Sequence, residues 1–156
     1  MAMLLFVAVG IAFLYVQKLF HEDVINRWLA LVGALFFLVG TAFFAGVGLT
    51  PYVLYLDLHV FFAVNAFRLM VPASLLYLIV LVRSDVDNRF SMVTAAYLVC
   101  VVAYVIYQLQ GGNPFDNPEE MVRQATIQKL VVIASVVSIF SLSFAFQKQI
   151  DILNAK

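Results

Sequence analysis

Residues 58–82 read LHVFFAVNAFRLMVPASLLYLIVLV, and one residue of that run, Arg68, governs how the rest is understood. About twenty predominantly apolar residues are what an α-helix needs to cross roughly 30 Å of hydrocarbon. The stretch therefore reads as a membrane span with a guanidinium about ten residues inside it. An arginine at that depth costs roughly 2.5–3.5 kcal/mol on insertion scales and about 10 kcal/mol or more in simulations of an isolated helix. Such a residue is retained where it faces a partner or a wet cavity.

The rest of the chain fits the same solvent. Of 156 residues, 65% are hydrophobic and only 12% charged, and the mean hydropathy of +1.03 is that of an integral membrane protein. Five apolar segments are predicted, near residues 2–20, 27–49, 58–82, 90–109 and 118–150, within one domain covering 1–156. Every backbone polar group must be satisfied internally in lipid, so each segment is a helix. The short links make sequential neighbours antiparallel, which predicts an all-α, up-and-down bundle of five transmembrane helices. The first segment lacks the basic leader and small-residue cleavage pattern of a signal peptide and reads as a true span.

Lys18, Arg27, Arg83, Arg89, Lys148 and Lys156 fall on one side of such a bundle, and Arg123 and Lys129 on the other. Six against two predicts an N-out, C-in orientation in a cell (plasma) membrane. Five spans starting outside without a charged leader form an unusual product, and one further helix before Met1 would give six spans with both ends inside. A missing N-terminal helix is accordingly expected.

Several local signals shape the helices. Gly111-Gly112-Asn113-Pro114 is a breaker cluster, and Asn117, Pro118, Glu119 and Glu120 read as an N-cap, a proline at N1 and first-turn acids. The fifth helix should begin near Pro118 and project beyond the membrane. On the second, Gly33, Gly40, Ala42 and Gly46 permit close helix approach. Ser135, Ser138 and Ser141–Ser143 on the fifth suit the same packing role.

At 100° per residue, Asp57, Phe61, Asn65, Arg68 and Pro72 share one stripe of the third helix. Asp57 and Arg68 are about 16 Å apart along the axis, too far for contact. Asn65, one turn from Arg68, is a neighbour that cannot neutralise it. His59 points to another face, and Gln128 and Lys129 open the membrane part of the fifth helix on the same side. Lys129, His59 and Asp57, with the turn 46–51, are expected to rim an outward pocket of spans two, three and five, floored by Asn65 and Arg68. Asp57, His59, Asn65, Arg68, Gln128 and Lys129 are thus the candidate ligand-binding residues. Basic groups over apolar walls suit a membrane lipid or another anionic amphiphile, with Tyr52 and Tyr55 at headgroup level.

Other classes of function find less to work with. Nine basic residues balance nine acidic ones and no basic tract is present, so nucleic acid is not a predicted partner. Cys100 is the only cysteine, and His21 and His59 lie on opposite sides, so neither a metal site nor a haem or other cofactor is expected within one chain. No GxSxG, HExxH or Walker pattern occurs, and Asp85, Asp87, Asp116, Glu119 and Glu120 all fall in links, which leaves hydrolysis or phosphoryl transfer without machinery and no catalytic residue to name. The alternatives are a structural or assembly subunit that pairs Arg68 with an acid of another membrane subunit, and, third, a small transporter. The last lacks a visible inverted repeat and any acid inside a span.

The passage Gly46-Val47-Gly48-Leu49-Thr50-Pro51, followed by Asp57-Leu58-His59-Val60-Phe61-Phe62-Ala63 and by Gln128-Lys129, resembles the DUF998 family of six-span membrane proteins. It is similar, more loosely, to the Frag1/DRAM/Sfk1-type proteins, some of which are linked to lipid remodelling or distribution. The resemblance covers residues 2–149 and implies a fold without an activity. It also implies that a first span is lacking here. Arg68 matches no motif of either group.

Overall fold

The computed structural model describes residues 2–110 and 117–155. The breaker cluster at 111–114, Asp116 and Lys156 lie outside the described residues. The elements are α1 (Ala2–Phe13), a 3₁₀ turn (Val16–Phe20), α2 (Val24–Leu49), α3 (Leu56–Val82), α4 (Asn88–Gln110) and α5 (Pro118–Asn154). Among the described residues the fold is all-α, as the hydropathy pattern predicts.

The first segment departs from the single helix expected over 2–20. After Phe13 the backbone tightens, with Leu14 and Tyr15 donating to the carbonyls three residues back, and continues as the 3₁₀ turn. The tightening buries Phe13, Val16 and Phe20 while Tyr15 and Lys18 remain exposed. The segment still runs antiparallel to α2, from Phe6 beside Phe44 to Gln17, which accepts from Arg27 Nε at 3.0 Å. Those contacts span residues 27–44 of α2, about 26 Å of helix.

Caps set the other boundaries. α2 begins earlier than its apolar run because Asp23 accepts from the backbone N–H groups of Ile25 and Asn26 at 2.9 and 3.1 Å. α5 starts where Asn117 accepts from the Glu119 N–H at 3.0 Å, with Pro118 in the first turn. Its 37 residues extend about 55 Å, well beyond a hydrocarbon layer.

Four helices are long and apolar enough to cross a membrane, and the exposed aromatics mark two levels. Tyr15 and Trp28 lie exposed towards one end, Tyr52 and Tyr55 at the other. The rise from Trp28 to Thr50 along α2 is about 33 Å, close to the thickness of the apolar layer. The protein is a multi-pass membrane helical bundle.

α2 and α3 form its tightest seam. Gly33, Gly40 and Gly46 face Leu76, Met70 and Phe62 so closely that side chains there would collide or crowd. A ring cluster then joins the elements: Phe13 lies 4.6 Å from Phe37, 5.6 Å from Tyr77 and 5.5 Å from Phe146. At the same end Arg83 donates from Nε to the buried Asn26 Oδ1 at 2.9 Å and pairs with Asp23 at 3.3 Å. The C-terminus of α3 is thereby tied to the N-terminus of α2.

Candidate functional site

α3 and α5 meet where the rings of Tyr77 and Phe146 pack at 5.8 Å. Towards the His59 end they stand apart, because α5 packs on α4 and on the 3₁₀ turn rather than along α3. The gap is a groove of about 560 Å³, within the roughly 300–1,000 Å³ of ordinary small-molecule sites. α3 contributes Val60, Ala63, Val64 and Arg68 to it. Tyr104 and Gln108 of α4 form the back wall, and Gln124, Ala125 and Gln128 of α5 the opposite side. Tyr52, His59 and Met121 stand at the mouth, with Tyr52 Oη 4.0 Å from Met121 Sδ.

Arg68 is the deepest charged residue of this groove. Its Cα lies about 18 Å along α3 from Leu56. Phe61, Leu75 and Val82, each one or two heptads away on the same face, are exposed apolar residues, and Arg68 is exposed among them. Helical side chains lean towards the helix N-terminus, which tilts the guanidinium towards Val64 and the His59 end. The four ion pairs of the described residues are Arg83–Asp23, Arg89–Asp87, Arg123–Glu120 and Lys148–Asp151. Arg68 belongs to none of them.

The remaining candidates divide. His59 and Gln128 line the groove with Arg68. Asn65 does not: its amide donates to the Phe61 carbonyl at 2.8 Å, within its own helix. Asp57 lies exposed in the first turn of α3, off the groove, where a carboxylate complements the helix dipole. Lys129 is exposed and about 100° round α5 from Gln128, also off the groove. The expected pocket of spans two, three and five becomes one of three, four and five. The cause is the glycine seam, since Gly40 and Gly46 draw α2 against Met70 and Phe62 and close that face of α3.

His59 is fixed by a contact to the chain itself. Its Nδ1 lies 2.6 Å from the carbonyl of Thr50, the residue that ends α2. A carbonyl only accepts, so Nδ1 carries the proton, and in the neutral ring Nε2 is left as an acceptor. The Tyr52 ring braces the imidazole edge-on at 6.0 Å. On the back wall, Gln108 Oε1 is buried with no hydrogen-bond partner and is turned away from the open groove.

The mouth is held by a clamp that the sequence did not reveal. Glu120 is buried, and it accepts from Tyr107 Oη of α4 and from the Arg123 guanidinium. Arg123 also lies 5.9 Å from the Tyr107 ring. The sequence places Glu120 correctly in the first turn of α5, yet nothing in its spacing points to a partner on α4. Gln124 and Gln128, four apart on an otherwise apolar face, were a legible signal. Gln108 reads from sequence only as the polar end of a span.

In comparisons with models of protein families, with curated proteins and with solved structures, no match to this chain was found.

Proposed function

We propose that the groove between α3, α4 and α5 binds an anionic amphiphile, a membrane lipid in the first instance, and that the protein is a non-enzymatic lipid-binding protein of the plasma membrane. The observation that carries this is Arg68: an exposed guanidinium in an apolar column, forming the deep wall of a groove and joined to no acid among the described residues. A phosphate or carboxylate supplies the missing counter-charge in a geometry that arginine recognises in a bidentate manner. Val60, Ala63, Val64 and Ala125 supply walls for the apolar part. Lys18, Arg27, Arg83, Arg89 and Lys148, at the opposite end of the bundle, support placing the groove mouth outside.

Native mass spectrometry and thermal unfolding of the purified protein test the proposal, with anionic and zwitterionic lipids compared. A ligand at a hundred times its Kd stabilises by about 2.7 kcal/mol, or roughly 5–11 °C for a chain of this size. Wild type should show that shift with anionic lipid, Arg68→Ala and Arg68→Gln should lose it, and Lys129→Ala should keep it. Equal lipid retention in wild type and both Arg68 variants would refute the proposal.

The exposure of Arg68 also favours a second reading. A heptad-spaced column of Phe61, Arg68, Leu75 and Val82 is a surface against which a partner helix bearing an acid could lie. Lipid-independent behaviour of the Arg68 variants would turn the assignment towards such an assembly role.

A further inference from the structure

Resting on the lipid-binding reading, we infer that the groove selects a headgroup that joins one phosphate to hydroxyl groups and carries no amine, the chemistry of phosphatidylglycerol or of soluble glycerol phosphate. The charges of the groove set the first half of this. Among its lining residues Arg68 is a cation and none is a carboxylate. An ammonium group would enter with no counter-ion and share the groove with a guanidinium, whereas a phosphate meets the donor fork that suits it.

The uncharged polar groups set the second half. His59 lines the groove, and because its Nδ1 is committed to Thr50, Nε2 is the acceptor that the neutral ring has left. An acceptor beside a cation calls for a neutral O–H, and the amides of Gln124 and Gln128 can donate to or accept from the same hydroxyls.

Distance favours an extended headgroup over a bare phosphate. His59 and Arg68 are nine residues apart, about 13 Å along the axis, and the arginine stem leans to shorten that gap. A phosphate alone cannot reach both. A phosphodiester with a terminal glycerol can place its phosphate at Arg68, its hydroxyls among His59 and the glutamines, and its chains along the open apolar side.

The test uses the full chain in phosphatidylcholine nanodiscs doped with equal fractions of phosphatidylglycerol, phosphatidic acid, phosphatidylserine or phosphatidylethanolamine. Bound lipid is read by native mass spectrometry. Glycerol 3-phosphate and inorganic phosphate are added separately in thermal-shift arms. Wild type should retain phosphatidylglycerol about tenfold over each of the others, equivalent to about 1.4 kcal/mol. Gln124→Leu should erase its preference over phosphatidic acid while both remain dependent on Arg68, and Gln128→Leu serves if Gln124→Leu fails to fold. Equal retention of all anionic lipids, lost in Arg68→Gln, would overturn the hydroxyl selectivity and leave anionic-lipid binding standing. Retention unaffected by Arg68→Gln would overturn both. A thermal shift with glycerol 3-phosphate but with neither inorganic phosphate nor any lipid would uphold the hydroxylated-phosphate chemistry and assign its source to a soluble molecule.

Discussion

Adding one carbon at Gly46 should cost far more than adding the same carbon at Gly40, although both glycines sit on the α2 face that meets α3. At Gly46 a Cβ would fall 2.6, 2.7 and 2.9 Å from three ring atoms of Phe62, where carbon pairs settle at about 3.5–4.0 Å. The ring cannot simply turn away, because Phe43 packs on it at 5.5 Å and Phe61 at 5.7 Å. α3 must therefore retreat by about 1 Å, an overpacking that costs typically 1–3 kcal/mol. Against this, alanine regains roughly 0.5–1 kcal/mol over glycine inside a helix. At Gly40 the sole atom closer than 3.4 Å is the terminal methyl of Met70, at 2.5 Å. A methionine chain with three rotatable bonds swings clear, so the helix gain is kept. Gly46→Ala should thus lose about 0.5–2 kcal/mol while Gly40→Ala is neutral or slightly stabilising. In thermal unfolding at matched detergent, where 1 kcal/mol is about 2–4 °C at this size, the pair should separate by several degrees. Equal destabilisation of the two variants, or a milder effect at Gly46, would refute the account of the seam.

Three further outcomes follow from contacts elsewhere in the bundle. Ser135 Oγ lies 2.9 Å from the Val131 carbonyl and 3.0 Å from Tyr97 Oη; its one proton goes to the carbonyl, so Tyr97 donates to Ser135. Tyr97→Phe should then cost about 0.5–1.5 kcal/mol, read as a lower unfolding temperature that Ser135→Ala does not lower additively. Asp23 is held below its ordinary value of 3.8, first by the Asn26 N–H, with partial burial opposing and the Ile25 N–H and the Arg83 charge adding to it. Because the folded pKa is depressed, its contribution is complete above about pH 4 and fades as pH falls through the lower folded value; Asp23→Asn, which still caps the helix, should show a shallower loss of stability in that acid window. Tyr107→Phe removes a donor from the buried Glu120 carboxylate, a bond of roughly 1.5–3 kcal/mol, and should speed amide hydrogen exchange over residues 119–126 with little change near Phe146.

Much of the fold was legible because two of its determinants are local. Apolar runs bounded by polar links predict helices in lipid, and the Asn117-Pro118 start of α5 is written in adjacent residues. The break after Phe13 was not legible, since nothing in 2–20 resembles a stop; it follows from seating Phe13 against rings of three other elements. The candidate site divides the same way. A helical wheel places Asn65 and Arg68 on one stripe, but it gives angles about a single axis and says nothing of which neighbour stands at each angle. Asn65 satisfies itself on its own backbone. Arg68 lies on an exposed column at the edge of a groove backed by α4, whose Gln108 and Tyr104 no pattern within α3 could announce.

The placement of charge gives the groove its meaning. Every ion pair among the described residues joins groups at an end of the bundle, where water shares the cost of a charge. Arg68 is treated differently: it lies deep, on an exposed apolar column, with α3 and α5 held apart beside it. Packing does not require this, because the α2 seam and the Phe13, Tyr77 and Phe146 rings anchor α3 elsewhere. A burden of roughly 2.5–3.5 kcal/mol for a mid-span arginine is about what an anionic ligand at a hundred times its Kd returns, near 2.7 kcal/mol. The unliganded bundle carries that cost on its packed α2–α3 seam and its ring cluster, and a ligand of the proposed kind would offset it only by reaching the guanidinium. Under the proposed lipid-binding function, the depth of Arg68 would restrict occupancy to molecules able to place a negative group well below the groove mouth.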